Sequence, residues 1–190
     1  MASGRRTAIL LTPGAGADRN QSALVAIDGA ATEAGAEVMR MDFPYRKAGR
    51  RAPDRPPVLV GAIEEAAAHL RARAERLVLG GRSMGGRMCS VAVAEGLVAE
   101  ALLLISYPLH PPGKPHKLRT EHFPNLRLPC LFISGTRDAF GTPEELEAAV
   151  SAIPGPVTIE WVEGKDHALR GSDSKVAATV VEWLRMHRVI

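Results

Sequence analysis

Four apolar runs in this chain fail to alternate with polar residues. "TAILLT" (7–12), "RLVLGG" (76–81), "ALLLIS" (101–106) and "LPCLFISG" (128–135) are dominated by aliphatic and small side chains. A strand with one wet face shows a polar residue at every second position, whereas a strand apolar on both faces belongs in a parallel sheet covered on both sides. Two shorter runs, "EVMRMDF" (37–43) and "VTIEWVE" (157–163), bring the set to six. Longer stretches at 20–35, 57–74, 84–97, 142–153 and 173–187 read as the intervening helices. Thr142 is placed as a cap, with Pro143 at the first helical position. This alternation predicts an α/β fold with a doubly wound, mostly parallel six-stranded sheet. A length of 190 residues suits one domain over 1–190. Aromatics make up only 4 % of the chain, so the core has to be built from Leu, Val, Ile and Ala.

Functional residues of such a sheet lie in the loops after the carboxyl ends of the strands. The loop after the third strand holds "GGRSMGGRM" (80–88), with Gly81-Arg82-Ser83-Met84-Gly85 in a G-x-S-x-G pattern. A chain reversing sharply from strand to helix needs small residues on either side of the tip, and the tip residue takes a strained backbone angle. The Ser83 hydroxyl then projects above the sheet, and the Met84 N–H points to where an oxyanion would form. A nucleophilic serine requires a base, and the base requires an orienting partner. "EGKDHALRG" places His167 after the sixth strand, and "GTRDAFG" places Asp138 after the fifth. Asp166 adjoins His167, but adjacent side chains point apart, so Asp138 is the preferred partner. The chain order Ser83, Asp138, His167 is the order of an α/β-hydrolase triad. "TPGAGAD" after the first strand offers a second oxyanion donor, with the Ala15 N–H best placed.

Other chemistries fit less well. A Walker phosphate loop requires a lysine that is missing here, and "PGAGAD" matches the dinucleotide fingerprint only in part. A net charge of +3 is too small for a nucleic-acid-binding face. Cys89 and Cys130 lie inside apolar runs and read as buried free thiols, which fits a reducing cytoplasm. "RRTAILL" superficially matches a twin-arginine export signal, but its apolar run stops at Pro13, too early for a signal core. No apolar stretch approaches bilayer length. The expected protein is cytoplasmic, cofactor-free and without a metal site. Its expected partner is a small acyl substrate, with neither nucleic acid nor membrane involved.

On these motifs the chain resembles the α/β-hydrolase superfamily along nearly its whole length, above all its small, lidless, dienelactone-hydrolase-like branch. "GGRSMGGR", "SYPLHPPGKP", "SGTRDAFG" and "DHAL" further resemble bacterial predicted hydrolases. Those proteins are related to the hydrolase-like region of a chromatin NSL-complex subunit. The resemblance implies a minimal α/β-hydrolase fold without a lid domain, with strand order 2-1-3-4-5-6 and the superfamily's first two strands absent. It also implies Ser83, Asp138 and His167 as catalytic residues. Where many relatives carry His-Gly before the oxyanion donor, this chain has Pro13-Gly14.

The expected reaction is cleavage of a small ester-type bond (ester, thioester or lactone) through an acyl-enzyme on Ser83. The rival reading is a catalytically silent interaction module on the same fold. Two stretches lie outside the regular pattern: 44–57, basic and proline-rich, read as a loop, and 107–127, with five prolines. Proline restricts a loop's freedom, so 107–127 is expected to be ordered, with "YPLHPPGKP" (107–115) as a fixed wall beside Ser83 and Tyr107 or His110 facing substrate. His110, His116 and His122 lack metal-ligand spacing. Arg82 and Arg137 adjoin triad positions and either select an anionic substrate or only pair with nearby carboxylates, and Ser106 is placed close behind the site.

Overall fold

The computed structural model describes residues 6–190, so Arg5 of the twin-arginine-like stretch lies outside the described residues. Six strands form one sheet in the order β2-β1-β3-β4-β5-β6, and every neighbouring pair is parallel. They are β1 (Thr7–Thr12), β2 (Glu37–Arg40), β3 (Arg76–Arg82), β4 (Ala101–Ile105), β5 (Cys130–Gly135) and β6 (Val157–Val162). The helices are α1 (Ser22–Glu33), α2 (Pro44–Lys47), α3 (Pro56–Arg71), α4 (Met84–Ala94), α5 (Pro143–Val150) and α6 (Asp173–Met186).

The two-sided apolar pattern has a direct outcome. Strand side chains point alternately to opposite faces, so each central strand feeds two cores. Leu10, Leu79, Leu104 and Phe132 face α3, α4 and α5, joining Ile63, Met88 and Leu146. Ile9, Val78, Leu103 and Ile133 face the other way, against Leu24 and Ile27 of α1 and Trp183 and Leu184 of α6. The edge strands β2 and β6 are only partly covered, as their mixed sequences require. None of the described helices is long and apolar enough to cross a membrane.

Three local departures from the sequence pattern have identifiable causes. The second strand ends at Arg40 rather than at Phe43. The Asp42 carboxylate accepts the Arg19 N–H at 2.7 Å, at the point where the chain leaves the sheet edge. The stretch 44–57 is not all loop: Pro44 opens the single-turn α2, whose Tyr45 is buried against Phe43. The stretch 107–127 carries one 3-10 turn, Phe123–Asn125, and is pinned to the body as expected. The Arg119 N–H donates to Leu109 O at 2.9 Å. The Tyr107 hydroxyl donates to Arg119 O at 2.7 Å, and the His122 ring meets Ser90 Oγ at 2.8 Å.

Candidate active site

The β3–α4 turn is as tight as its glycines demand. A Cβ built on Gly81 would stand 2.1 Å from Thr12 Oγ1, and one on Gly85 would stand 2.5 Å from the Pro13 carbonyl oxygen. Ser83 occupies the tip at φ 51, ψ −119, a conformation that costs an ordinary residue on the order of 1–3 kcal/mol. Its N–H still donates to Ile105 O at 2.8 Å, continuing the pairing of β3 with β4. Although Ser83 precedes α4, its side chain caps nothing. The hydroxyl instead meets His167 Nε2 at 2.9 Å.

His167 arrives on the loop between β6 and α6. Its Nδ1 meets Asp138 Oδ2 at 2.8 Å and Oδ1 at 3.0 Å. Asp138, from the loop after β5, is almost wholly buried. Its Oδ1 also accepts the Phe140 N–H at 2.8 Å, which fixes the carboxylate before the imidazole meets it. The two loops are tied together where Arg137 N–H donates to Lys165 O at 2.9 Å. The Phe140 ring lies against the imidazole with centroids 4.1 Å apart. Asp166, the neighbour of His167, accepts the Ala168 N–H at 2.9 Å and so serves its own turn. Ser83, His167 and Asp138 thus form one continuous hydrogen-bonded chain assembled from three separate loops.

A cleft of about 390 Å³ opens over Ser83. Ala15 and Met84 line it, and among the described residues neither N–H enters a protein hydrogen bond. The neighbouring Gly14 N–H is held by Gln21 Oε1 at 3.1 Å and the Gly16 N–H by Tyr45 Oη at 3.2 Å, so the loop bearing Ala15 is fixed on both sides. Gly14 itself packs closely behind the serine: a Cβ there would meet Ser83 Cβ at 3.6 Å.

Three expected substrate contacts have other roles. Tyr107 is turned into the core between Phe123 and Phe132, where Ser106, the residue just after β4, takes φ 50 and redirects the chain. His110 is buried and does not line the cleft. Its Nδ1 meets Pro111 O at 2.9 Å and its Nε2 meets Glu145 Oε2 at 3.1 Å. Arg82 does line the cleft, but its guanidinium donates to the carbonyl oxygen of His167 and so holds the histidine loop. Burial pulls its pKa down against the charges of Asp138, Asp173 and Asp166. Arg137 is exposed. The stretch 107–115 does reach the cleft, through Pro108, and Arg119 farther along the same segment joins it.

Sequence reasoning missed Arg87, Arg119 and Phe140 as lining residues, whereas Pro108 falls inside the stretch expected to wall the site. Arg87 was within reach, since it stands four positions after Ser83 on one helical face, whereas Arg119 carries no local signal. Among the described residues, no three His, Cys, Asp or Glu side chains gather as metal ligands.

The fold is shared with several solved structures. Est1E from Butyrivibrio proteoclasticus, solved with ferulic acid bound, superposes at TM-score 0.82 and 14 % identity, over 100 % of this chain and 92 % of its own. A dienelactone hydrolase from Anabaena variabilis does so at TM-score 0.75 and 18 % identity, over 97 % and 88 %. An alpha-beta serine hydrolase homologue from Coxiella burnetii reaches TM-score 0.75 at 20 % identity, over 94 % and 85 %. The family model described as an alpha/beta hydrolase domain matches residues 5–188, nearly the full length. By that match the chain belongs to the alpha/beta hydrolase domain family.

Proposed function

We propose that this protein is a serine hydrolase acting on a small ester-type substrate through an acyl-enzyme on Ser83. The observation that carries the reading is the Ser83–His167–Asp138 hydrogen-bond chain, with the serine held at φ 51 and left out of helix capping. A serine kept in that conformation without a chemical role would be a standing cost to the fold.

The steps follow from the atoms present. His167 Nε2 takes the hydroxyl proton as Ser83 Oγ attacks the substrate carbonyl carbon, and Asp138 stabilises the imidazolium without itself being protonated. The carbonyl electrons move onto oxygen, which accepts hydrogen bonds from the Met84 and Ala15 N–H groups. Removing one such donor typically costs about 10²–10³ in turnover. The tetrahedral species collapses, His167 returns the proton to the departing alcohol, thiol or ring oxygen, and the acyl group stays on Ser83. Water, deprotonated by His167, repeats the sequence and frees the acid. An open cleft of this size suits short or flexible acyl groups, and an ester, thioester or lactone needs less leaving-group help than an amide.

A fluorophosphonate probe tests this directly. The wild-type protein should be labelled on Ser83 and should hydrolyse p-nitrophenyl acetate, and Ser83→Ala should lose both while melting at nearly the same temperature. Wild-type hydrolysis by Ser83→Ala would move the nucleophile elsewhere. A wild-type protein inert to both reagents would return the fold to the interaction-module reading.

A further inference from the structure

The cleft above Ser83 carries more positive charge than the triad needs. Arg82, Arg87 and Arg119 all line it, and no Asp or Glu stands among its described lining residues. Arg82 is committed to the His167 carbonyl. The other two are not committed. Arg87 sits on α4 one turn beyond the serine, its backbone N–H donating to Ser83 O at 3.0 Å. Its Nε is buried with no hydrogen-bond partner among the described groups. Among the described groups the Arg119 guanidinium has one acceptor, the backbone oxygen of Pro108, and reaches it only at 3.5 Å. Neither arginine enters any ion pair among the described residues.

The two cations are also close enough to act on each other. Burial holds the Arg119 pKa down, and the charge of Arg87 lowers it further. Like charges facing one cleft without a counter-charge are a cost to the free protein, and that cost is relieved when an anion bridges them. Guanidinium groups present forked N–H pairs that match the oxygens of a carboxylate or phosphate. Arg119 is also preorganised, because its backbone is bound at both ends, through its N–H to Leu109 O and through its carbonyl to the Tyr107 hydroxyl. Pro108 and Phe140 give the same cleft an apolar wall, which suits a short methylene spacer.

We propose that Arg87 and Arg119 form a subsite for an oxyanion group, carboxylate or phosphate, carried by the acyl substrate a few atoms from its scissile carbonyl. What the substrate undergoes rests on the serine-hydrolase reading, whereas the anion site stands on the two arginines themselves.

Two measurements separate these. In the first, wild-type protein is given p-nitrophenyl hydrogen glutarate and the neutral, similarly sized p-nitrophenyl valerate. The anionic ester should be favoured in kcat/KM by about ten- to a hundredfold, the range of a charge-assisted hydrogen bond or two. Arg87→Gln with Arg119→Gln should erase that ratio. Arg87→Lys with Arg119→Lys, which keeps the charge but loses the fork, should retain part of it. Melting curves identify any variant that has merely unfolded. In the second, Ser83→Ala protein is titrated calorimetrically with monomethyl glutarate and, in parallel, with inorganic phosphate. Binding of either, lost in the glutamine background, supports the subsite, and the tighter of the two identifies the head group. Absence of preference together with absence of binding overturns the subsite, as does a preference undiminished by the glutamine changes. Hydrolysis of the neutral ester by Ser83 would in that event leave the hydrolase reading intact. Anion binding without hydrolysis of any ester would keep the subsite and defeat that reading instead.

Discussion

Gly85→Ala isolates the geometry of the turn that holds Ser83. The added Cβ would lie 2.5 Å from each of three atoms: Pro13 O, Thr12 O and Thr12 Oγ1. Two of these are backbone oxygens in or next to β1, which pairs with β2 and β3 on its two sides, so they cannot step aside as a flexible side chain would. Overpacking of this kind costs typically about 1–3 kcal/mol, and three contacts against a fixed strand place this case at about 3 kcal/mol. For a domain of this size each kcal/mol moves the melting temperature by roughly 2–4 °C, giving a fall of roughly 6–12 °C. Gly61→Ala makes the same chemical change on α3 with nothing within 4 Å of the new methyl. It should gain about 0.5–1 kcal/mol from reduced chain freedom, so the two variants should move in opposite directions. Turnover of p-nitrophenyl acetate by Gly85→Ala should also fall, by about 10² for a displacement of about 1 Å at the nucleophile. A Gly85→Ala protein melting within 2 °C of wild type (roughly 1 kcal/mol at most) would refute the claim that this glycine is required by close approach.

Asp138→Asn should leave the fold intact and lower kcat by about 10⁴, because the amide favours the wrong imidazole tautomer; a loss below about tenfold would remove Asp138 from the mechanism. Two histidines of the 107–127 segment should respond to pH with opposite sign. Burial pulls His110 down, but its hydrogen bonds to Pro111 O and Glu145 outweigh this and raise its pKa above 6.5. Its contribution is therefore full below pH 6.5 and is lost as pH rises through the raised value. The melting-temperature gap between wild type and His110→Gln should accordingly be wider at pH 6 than at pH 9, and a gap that widens on raising the pH would contradict the assignment. For His122, burial and then the nearby Arg87 charge lower the pKa to about 4, so its contribution is lost as pH falls from 6.5 through 4. His122→Gln should lose less melting temperature than wild type over that interval. Burial pushes the thiols of Cys89 and Cys130 up to about 12, so native protein should resist iodoacetamide at pH 8 while denatured protein takes up two adducts, one at each free cysteine.

The sheet and the triad were legible because each rests on a local rule. A run such as "ALLLIS" states its own two-sided burial, and Gly81 and Gly85 state the tightness of the turn between them. Asp138 and His167 follow because a parallel sheet gathers the ends of its strands on one edge. The lining was less legible, because it depends on where an irregular segment sends its side chains. Ser106 at φ 50 decides that Tyr107 enters the core, and nothing in "LISYPL" announces a left-handed serine there. Glu145 closes the capping box of α5 and also receives His110, a pairing across 35 positions with no periodicity to betray it. The single turn of α2 is too short to show a helical pattern at all.

Ser83, Asp138 and His167 come from loops distant along the chain, so the three meet only when the strands that precede them are all in place. Ser83 follows β3, which lies inside the sheet between β1 and β4, whereas the histidine it meets comes from the loop after β6, at the far edge. On the proposed mechanism, a partly built sheet lacking β6 would hold Ser83 without its proton acceptor and would be quiet toward an acyl compound. Parallel pairing is slow because each crossover must close before its strand finds its neighbour. During refolding, reactivity toward a serine-directed probe should therefore appear later than the bulk of the helical signal, as a report that the last strand has docked.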